Sequence, residues 1–447
     1  MPLYYPKCPF PVQEATTFPV VPAENTGPLV LNPYWQDLTD GQTGTRRFFM
    51  KIFSSLPFRL VAGLLVGIVI GFIAGLMNSV PVIVVIITIQ ALLHQLIMFC
   101  VPLIILGFIS SAIANMEENA SRLLGVALVI AYLSTVGAAF FSTGLGYGII
   151  PLLNISDVTS GGKAVPELVF NLHLPQVMPV MTALLLAILV GLAAAWTKAT
   201  AFITLLGEFQ QIVLSIVKRV MIPVLPFFIG TTFAKLSYTG EIVELLPILL
   251  IVVVVVITAH FIWLALLFGV AAVYTRKNPF EVIRHYGPVY ITALGTMSSA
   301  ATMPVALQCA ARSEVLRKDI VSFGIPLFTN IHLCGSVLTL TFFVMVVSQV
   351  LYGQIPSLQN MVLFCFLLGI FGIAAPGVPG GTVVASLGLI ISVLGFDSTG
   401  TALVMTIFAI QDSFGTACNV TGDGALTMIL SGFAEKHNIG EQGAENG

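Results

Sequence analysis

Four polar side chains lie on one face of a predicted helix near the end of the chain. They follow one another at intervals of four, three and four residues within an apolar segment. At 3.6 residues per turn, this spacing predicts a single helix face, with the outer two residues about 16 Å apart along the axis. Both outer residues are aspartates, and a carboxylate inside a membrane helix costs roughly 3 kcal/mol unless a cation, a ligand ammonium group or a proton accompanies it. The four residues are Asp412, Thr416, Asn419 and Asp423.

The composition indicates that this helix belongs to a membrane protein. Of 447 residues, 57% are hydrophobic and 9% are charged, whereas a soluble domain has about 25% charged residues. So few charges cannot cover a soluble core, and the long apolar stretches must therefore face lipid. The net charge of −2 argues against nucleic acid as a partner. The cysteines show no CxxC or Cys/His spacing, which argues against a structural metal site.

Eight apolar segments are predicted to cross the bilayer as helices, in an all-α polytopic membrane protein. Basic residues cluster just before the first segment, and an excess of Lys and Arg marks the cytoplasmic side. We therefore expect the N-terminus, and after eight crossings the C-terminus, to be cytoplasmic. Residues 1–45 and 437–447 are expected to be flexible tails. The predicted crossings are 56–76, 80–113, 122–151, 177–197, 203–234, 242–274, 320–351 and 400–434.

Two further apolar stretches are too interrupted to be continuous helices. One lies between two basic clusters, so it begins and ends on the same side of the membrane. The other contains the run 374–381, where prolines and glycines break the helix. Both are predicted to be re-entrant hairpins, at about 280–312 and 358–394, because broken helices of this kind mark the binding site of transporters. The simpler alternative is that these glycines and prolines only allow helices to pack closely.

Several short motifs occur together in this chain. They are Asn419-Val420-Thr421-Gly422-Asp423, the Ser-rich run 295–304, Gly377-Val378-Pro379-Gly380 and Val101-Pro102-Leu103-Ile104-Ile105. Together they resemble the dicarboxylate/amino acid:cation symporters, the family of glutamate-transporter homologues, over about residues 52–436. The resemblance implies eight transmembrane helices, two re-entrant hairpins and a homotrimer in the inner or plasma membrane.

The resemblance also implies a division into two parts that move relative to each other. A scaffold part, 52–119 and 177–240, would hold the trimer together. A transport part, 120–153 and 241–436, would carry the substrate across the membrane like an elevator. The substrate would lie between the hairpin tips, and the second hairpin would be the external gate.

Individual residues that match the family's motifs acquire implied roles. The implied substrate contacts are Ser298, Ser299, Ser336, Val378, Thr382, Asp412, Gly415, Thr416 and Asn419. The implied cation contacts are Asp423, Asn419, Phe328, Tyr132, Thr135 and His332. Among them, Asp412 would bind the substrate's amino group, and Asp423 with Asn419 would bind sodium. No resident cofactor is implied.

Two positions depart from the pattern of family members that carry acidic substrates. Those members have an arginine in the eighth helix or at the first hairpin tip, where this chain has Gly415 and Met297. Without a guanidinium group, a side-chain carboxylate of the substrate would have no ionic partner. We therefore expect import of a small neutral amino acid, with an acidic amino acid or a dicarboxylate as the alternative.

A third departure concerns the coupling ion. The family's Asn-Met-Asp-Gly-Thr stretch in the seventh helix is His332-Leu333-Cys334-Gly335-Ser336 in this chain. An amide and a carboxylate suited to a hard cation are missing. Sodium coupling is the prediction, and the alternatives are proton coupling through His332, an uncoupled carrier or an anion-leak channel.

An enzyme is not expected. An intramembrane aspartyl protease needs two carboxylates that share a proton at close range. Asp412 and Asp423 lie on one predicted helix, three turns apart.

Overall fold

The computed structural model describes residues 56–114, 122–153, 166–170, 172 and 174–439. Within these residues the regular structure is helical and contains no strand, which confirms the predicted all-α class. The predicted tail 1–45 and residues 440–447 of the predicted tail 437–447 lie outside the described residues.

The described part of the first half of the chain forms mostly long helices. Two of them continue through a π-helical turn, at Leu106–Ser110 after α2 and at Val217–Met221 between α5 and α6. The helices are α1 (Leu56–Leu76), α2 (Val80–Ile105), α3 (Arg122–Ile149), α4 (Val180–Thr197), α5 (Thr200–Ile216), α6 (Ile222–Thr239) and α7 (Ile242–Thr275).

The second half is made mostly of shorter helices and ends in a long one. Its longest helix, α15, has 39 residues and contains the predicted polar face. The helices are α8 (Phe280–Ile283), α9 (Gly287–Thr296), α10 (Ser299–Ala310), α11 (Lys318–Ile331), α12 (Cys334–Tyr352), α13 (Leu358–Ala374), α14 (Gly381–Leu394) and α15 (Ser398–Lys436).

Seven helical stretches of the described residues are long and apolar enough to cross a membrane. They match seven of the predicted crossings, with α5 and α6 forming one stretch and α11 and α12 another. The eighth predicted crossing, 177–197, corresponds to α4, which has 18 residues. The crossing by α4 stays a prediction, because its apolar part, Leu185–Thr197, is shorter than the about 20 residues that a span needs.

Burial separates the helices into two kinds. α12 and α15 are almost entirely enclosed by other helices, whereas α1 and α7 leave most of their apolar residues at least partly exposed. Exposed apolar helix faces suit contact with lipid. The enclosed helices contain many buried polar residues, as expected where a polar group must find partners within the protein.

Two helices are interrupted inside the predicted hairpins. Between α9 and α10 the chain turns at Met297, which has a left-handed φ of 51°. The Ser298 side chain then accepts a hydrogen bond from Ala301 N and caps α10. Between α13 and α14 the turn ends at Gly380, whose φ of 70° favours glycine. The breaks agree with the predicted positions, and the re-entrant path through the membrane stays a prediction.

Helices α1 and α6 cross with their backbones in contact. A Cβ atom added to Gly67 would lie 2.1 Å from the carbonyl oxygen of Gly230, and one added to Gly71 would lie 2.1 Å from that of Ala234. Each pair of positions is four residues apart, so the contact follows one face of each helix. Small residues at such a spacing allow close approach of helices in membranes.

Replacing Gly71 with alanine is expected to destabilise the protein by about 1–3 kcal/mol, the usual cost of overpacking. The added methyl group would overlap a backbone carbonyl, which cannot rotate away. The measurement is the thermal unfolding of the purified protein in detergent.

Gly269→Ala is the matched control. Gly269 lies in α7 with no atom near the position of an added Cβ. This substitution is expected to leave stability unchanged or raise it by up to about 1 kcal/mol. Equal melting temperatures for the two variants would contradict the close contact of α1 and α6.

Candidate functional site

The two helix breaks lie against each other. Ser298 Oγ donates a hydrogen bond of 2.8 Å to the carbonyl oxygen of Gly377. Ser299, the next residue, is 3% exposed and packs near Gly377. Two turns that are 79 residues apart in the chain therefore form one structural unit.

Asp412 connects this unit to α15. Its side chain is 3% exposed, and its Oδ2 atom accepts a hydrogen bond of 2.7 Å from Gly380 N. Gly380 is the residue just before α14, so the carboxylate lies at the positive end of that helix. No ion pair among the described residues includes Asp412. The carboxylate is thus held by a backbone N–H group and not by a basic side chain.

The other predicted contacts near the tips are enclosed to different degrees. Thr382 is buried in the first turn of α14, and Val378 is half-buried in the turn before it. Thr416 is buried one turn after Asp412 on α15. These three residues lie on α14, on the turn before it and on α15, the elements that the Gly380–Asp412 hydrogen bond joins.

Asn419 forms the firmest link between α15 and α12. Its Oδ1 atom accepts hydrogen bonds from Gly335 N at 2.7 Å and from Ser336 N at 3.1 Å. Its Nδ2 atom donates to Ser336 Oγ at 2.9 Å. These backbone N–H groups lie in the first turn of α12, where no helical acceptor exists. Asn419 therefore caps α12 from another helix.

The cap depends on glycines at the crossing. A Cβ atom on Gly335 would lie 2.4 Å from the carbonyl oxygen of Gly415. A Cβ atom on Gly415 would lie 3.2 Å from the Cα atom of Ser336. A side chain at position 335 would push α12 and α15 apart, and their close approach brings Asn419 within reach of the α12 terminus.

A second cluster surrounds Asp423. His332 Nδ1 lies 2.9 Å from Asp423 Oδ1, and both side chains are fully buried. The other ring nitrogen, Nε2, lies 2.8 Å from Ser134 Oγ on α3. Thr329 Oγ1 lies 3.3 Å from Asp423 Oδ2. The backbone carbonyl of Phe328, a predicted cation contact, accepts a hydrogen bond from His332 N at 2.8 Å.

The structure does not bring every predicted cation contact to this cluster. The Tyr132 hydroxyl donates to the carbonyl oxygen of Phe366 on α13, 3.2 Å away. Thr135 is fully buried, and its Oγ1 atom has no hydrogen-bond partner. Ser134, between them, is the α3 residue that contacts His332, and the sequence prediction missed it. The run of three polar residues at 132, 134 and 135 was the available signal.

Asn419→Ala is expected to lower the free energy of unfolding, because it leaves the buried N–H groups of Gly335 and Ser336 without an acceptor. Each such group costs about 1–3 kcal/mol. Asn419→Asp keeps the acceptor oxygen and should lose less. Thermal unfolding of the purified variants measures both effects.

Asn360→Ala is the control for this prediction. Asn360 is exposed in the first turn of α13, and its replacement is expected to change stability by no more than about 0.5 kcal/mol. If Asn419→Ala melted at the same temperature as Asn360→Ala, the interhelical cap would be refuted.

Comparison with known proteins places these sites in a family. The model of the sodium:dicarboxylate symporter family matches residues 56–433. The chain is 23% identical over 406 residues to neutral amino acid transporter A of Bos taurus, a match that covers 78% of this chain and 76% of that protein.

Two other relatives are matched over shorter segments. A putative sodium-dependent excitatory amino acid transporter, glt-4, of Caenorhabditis elegans is 26% identical over 210 residues, 47% of this chain and 41% of that protein. Excitatory amino acid transporter 3 of Mus musculus is 29% identical over 161 residues, 36% of this chain and 30% of that protein. The family match extends over most of the described helices and includes both broken helices and all of the polar face of α15. The chain belongs to the sodium:dicarboxylate symporter family.

Proposed function

We propose that this chain is a secondary active carrier that imports a small neutral amino acid across the inner or plasma membrane. The observation that carries the proposal is the position of Asp412. Its buried carboxylate meets the tip of a broken helix and pairs with no basic side chain among the described residues. A carboxylate in such a place suits a ligand that brings its own positive charge, such as an α-ammonium group.

Binding of an ammonium group at Asp412 would change the contact with the second hairpin tip. In the structure Gly380 N donates to this carboxylate. An ammonium group has three donors and a full charge, so it competes well for the same oxygen atoms. Substrate binding at Asp412 thus acts on the hairpin that the resemblance identifies as the external gate.

The substrate's carboxylate has a matching place at the first tip. Ser298 and Ser299 begin α10, and the N-terminus of a helix attracts anions through its free N–H groups. The Ser298 hydroxyl now donates to Gly377 O and can turn toward a ligand oxygen instead. The two charged ends of an amino acid would therefore contact α15 and the first tip.

Selectivity against substrates with an acidic side chain follows from Gly415 and Met297, which stand where family members that carry acidic substrates have an arginine. The Cβ direction of Gly415 points at the backbone of Ser336. Met297 is 2% exposed. Neither position supplies a cationic group, and an unpaired carboxylate is costly to bury. The bovine relative's name as a neutral amino acid transporter supports this substrate class, although the names of the nematode and mouse relatives indicate excitatory amino acids.

We also propose the two-part organisation of a homotrimer that works by an elevator mechanism, with both termini cytoplasmic. Its support is the pattern of helix packing. α2 packs on α4 and α6, whereas α15 packs on α7, α9, α11 and α12, and α3 packs on α12 and α13. The first group belongs to the predicted scaffold part and the second to the predicted transport part.

Asp412→Asn tests the proposed amino-group contact. The change removes the negative charge and keeps the size of the side chain. Loss of a charge-assisted hydrogen bond costs about 1.5–3 kcal/mol, so the apparent affinity for a neutral amino acid should fall about 10- to 100-fold. The measurement is uptake of labelled serine or alanine into proteoliposomes.

Glu435→Gln provides a control on the same helix. Glu435 pairs with Lys277 at the far end of α15, where both side chains are partly exposed. Because exposed ion pairs contribute about 0–1 kcal/mol, this variant should transport like the unchanged protein. Equal uptake by Asp412→Asn and Glu435→Gln would contradict the role of Asp412.

The substrate class is tested by competition. Unlabelled serine, alanine and threonine are expected to inhibit uptake of the labelled neutral amino acid, and aspartate, glutamate and succinate are expected to inhibit it poorly. Preferential uptake of aspartate would contradict the neutral-substrate proposal and favour the acidic alternative. Accelerated exchange in counterflow would separate a carrier from a channel.

A further inference from the structure

The His332 side chain lies at the break between α11 and α12. α11 ends at Ile331 and α12 begins at Cys334, so His332 lies in an extended turn with φ −117° and ψ 103°. Its side chain is completely buried. An imidazole in a break of this kind can contact helices on several sides.

His332 bridges two helices that are far apart in the sequence. One ring nitrogen lies 2.9 Å from Asp423 Oδ1 on α15, and the other lies 2.8 Å from Ser134 Oγ on α3. Both nitrogens of the ring therefore have partners. The ring fills the space between the carboxylate and α3.

The surroundings of the ring are tightly packed. A Cβ atom on Gly422 would lie 2.9 Å from His332 Cε1 and 3.3 Å from Cys334 Sγ. The ring thus packs directly on the backbone of α15, next to Asp423. Gly422 leaves room for the imidazole, because any side chain at this position would collide with the ring.

A sodium ion at Asp423 would require oxygen atoms that point toward a common centre. Asp423 Oδ1 is hydrogen-bonded to the His332 ring, and Oδ2 has the Thr329 hydroxyl at 3.3 Å. A ring nitrogen that carries a proton repels a cation, and neutral imidazole nitrogen is a poor ligand for a hard ion.

The second expected sodium ligand is directed elsewhere. The Asn419 carbonyl oxygen accepts two backbone hydrogen bonds at the start of α12, which use both of its lone pairs. Cys334, where the family has a carboxylate, supplies sulfur, which does not suit a hard cation. The donor set near Asp423 therefore does not fit sodium.

We propose that His332 takes the place of the sodium ion beside Asp423, so that this carboxylate is held by the protein and not by a transported cation. The inference rests on the proposed function as a carrier, because it concerns which ions accompany the substrate. In this inference Asp423 and Asn419 are not sodium ligands. It makes no claim about sodium binding at other residues of the chain.

The first test compares thermal unfolding in sodium chloride and in choline chloride at equal ionic strength. An ion that binds only the folded protein raises the melting temperature. Asp423→Asn is expected to lower the melting temperature equally in both salts, as loss of an internal contact should. A sodium-dependent rise that is present in the unchanged protein and absent from Asp423→Asn would overturn the inference. Glu435→Gln, on the same helix, controls for a general effect of charge removal.

The second test restores an oxygen ligand. In His332→Asn the amide replaces the ring and frees Asp423 Oδ1. We expect sodium to raise the melting temperature of this variant by several degrees more than it raises that of the unchanged protein. No additional response to sodium in a folded His332→Asn variant would contradict the claim that the ring excludes the ion.

A third measurement needs no variant. Hydrogen exchange of the unchanged protein, read by mass spectrometry, is compared in the two salts for peptides covering 328–336 and 416–427. Equal exchange in these peptides is expected, and sodium-dependent protection there would refute the inference. Protection confined to other peptides would support it, because sodium would then bind away from Asp423.

These measurements are independent of the transport assay. Absence of amino acid uptake would contradict the proposed function without changing the melting temperatures. Sodium-dependent protection at 416–427 would contradict the present inference even if uptake were normal.

Discussion

The cost of an unpaired polar group in a medium without water governs this structure. α15 has two carboxylates and an amide on one enclosed face, and each has found a partner on a different element. Asp412 meets a backbone N–H group, Asn419 meets the start of α12, and Asp423 meets an imidazole. The partners join α15 to α14, α12 and α3, so satisfying its polar groups also fixes the helices around it.

The two carboxylates differ in how easily their partners can be replaced. Gly380 N belongs to a turn with a left-handed glycine, at the end of a broken helix. In the proposed function, a ligand's ammonium group would replace its hydrogen bond to Asp412. His332 is confined by the backbone of α15 and by Ser134. In the proposed carrier, the same residue type would bind a ligand at one end of the helix face and form an internal contact at the other.

Much of the architecture could be predicted from local patterns. Helical spacing predicts the polar face of α15, the flanking basic clusters predict the first helix break, and the run of proline and glycine predicts the second. Contacts between distant segments could not be predicted in this way. The cap by Asn419 depends on the approach of Gly335 to Gly415, and the His332–Ser134 contact joins residues 198 positions apart. Tyr132 lies on the same helix as Ser134, yet its hydroxyl points to α13, since side-chain direction depends on neighbours that the sequence does not reveal.

The glycine contact between α1 and α6 has a mechanical consequence. At Gly67 and Gly71 the backbone of α1 lies directly against carbonyl groups of α6. If α1 slid along α6 by less than a full turn, larger side chains would collide with these carbonyl groups. We therefore expect α1 and α6 to move together as one rigid body. Relative movement within the protein would then occur at other helix interfaces, where flexible side chains separate the backbones.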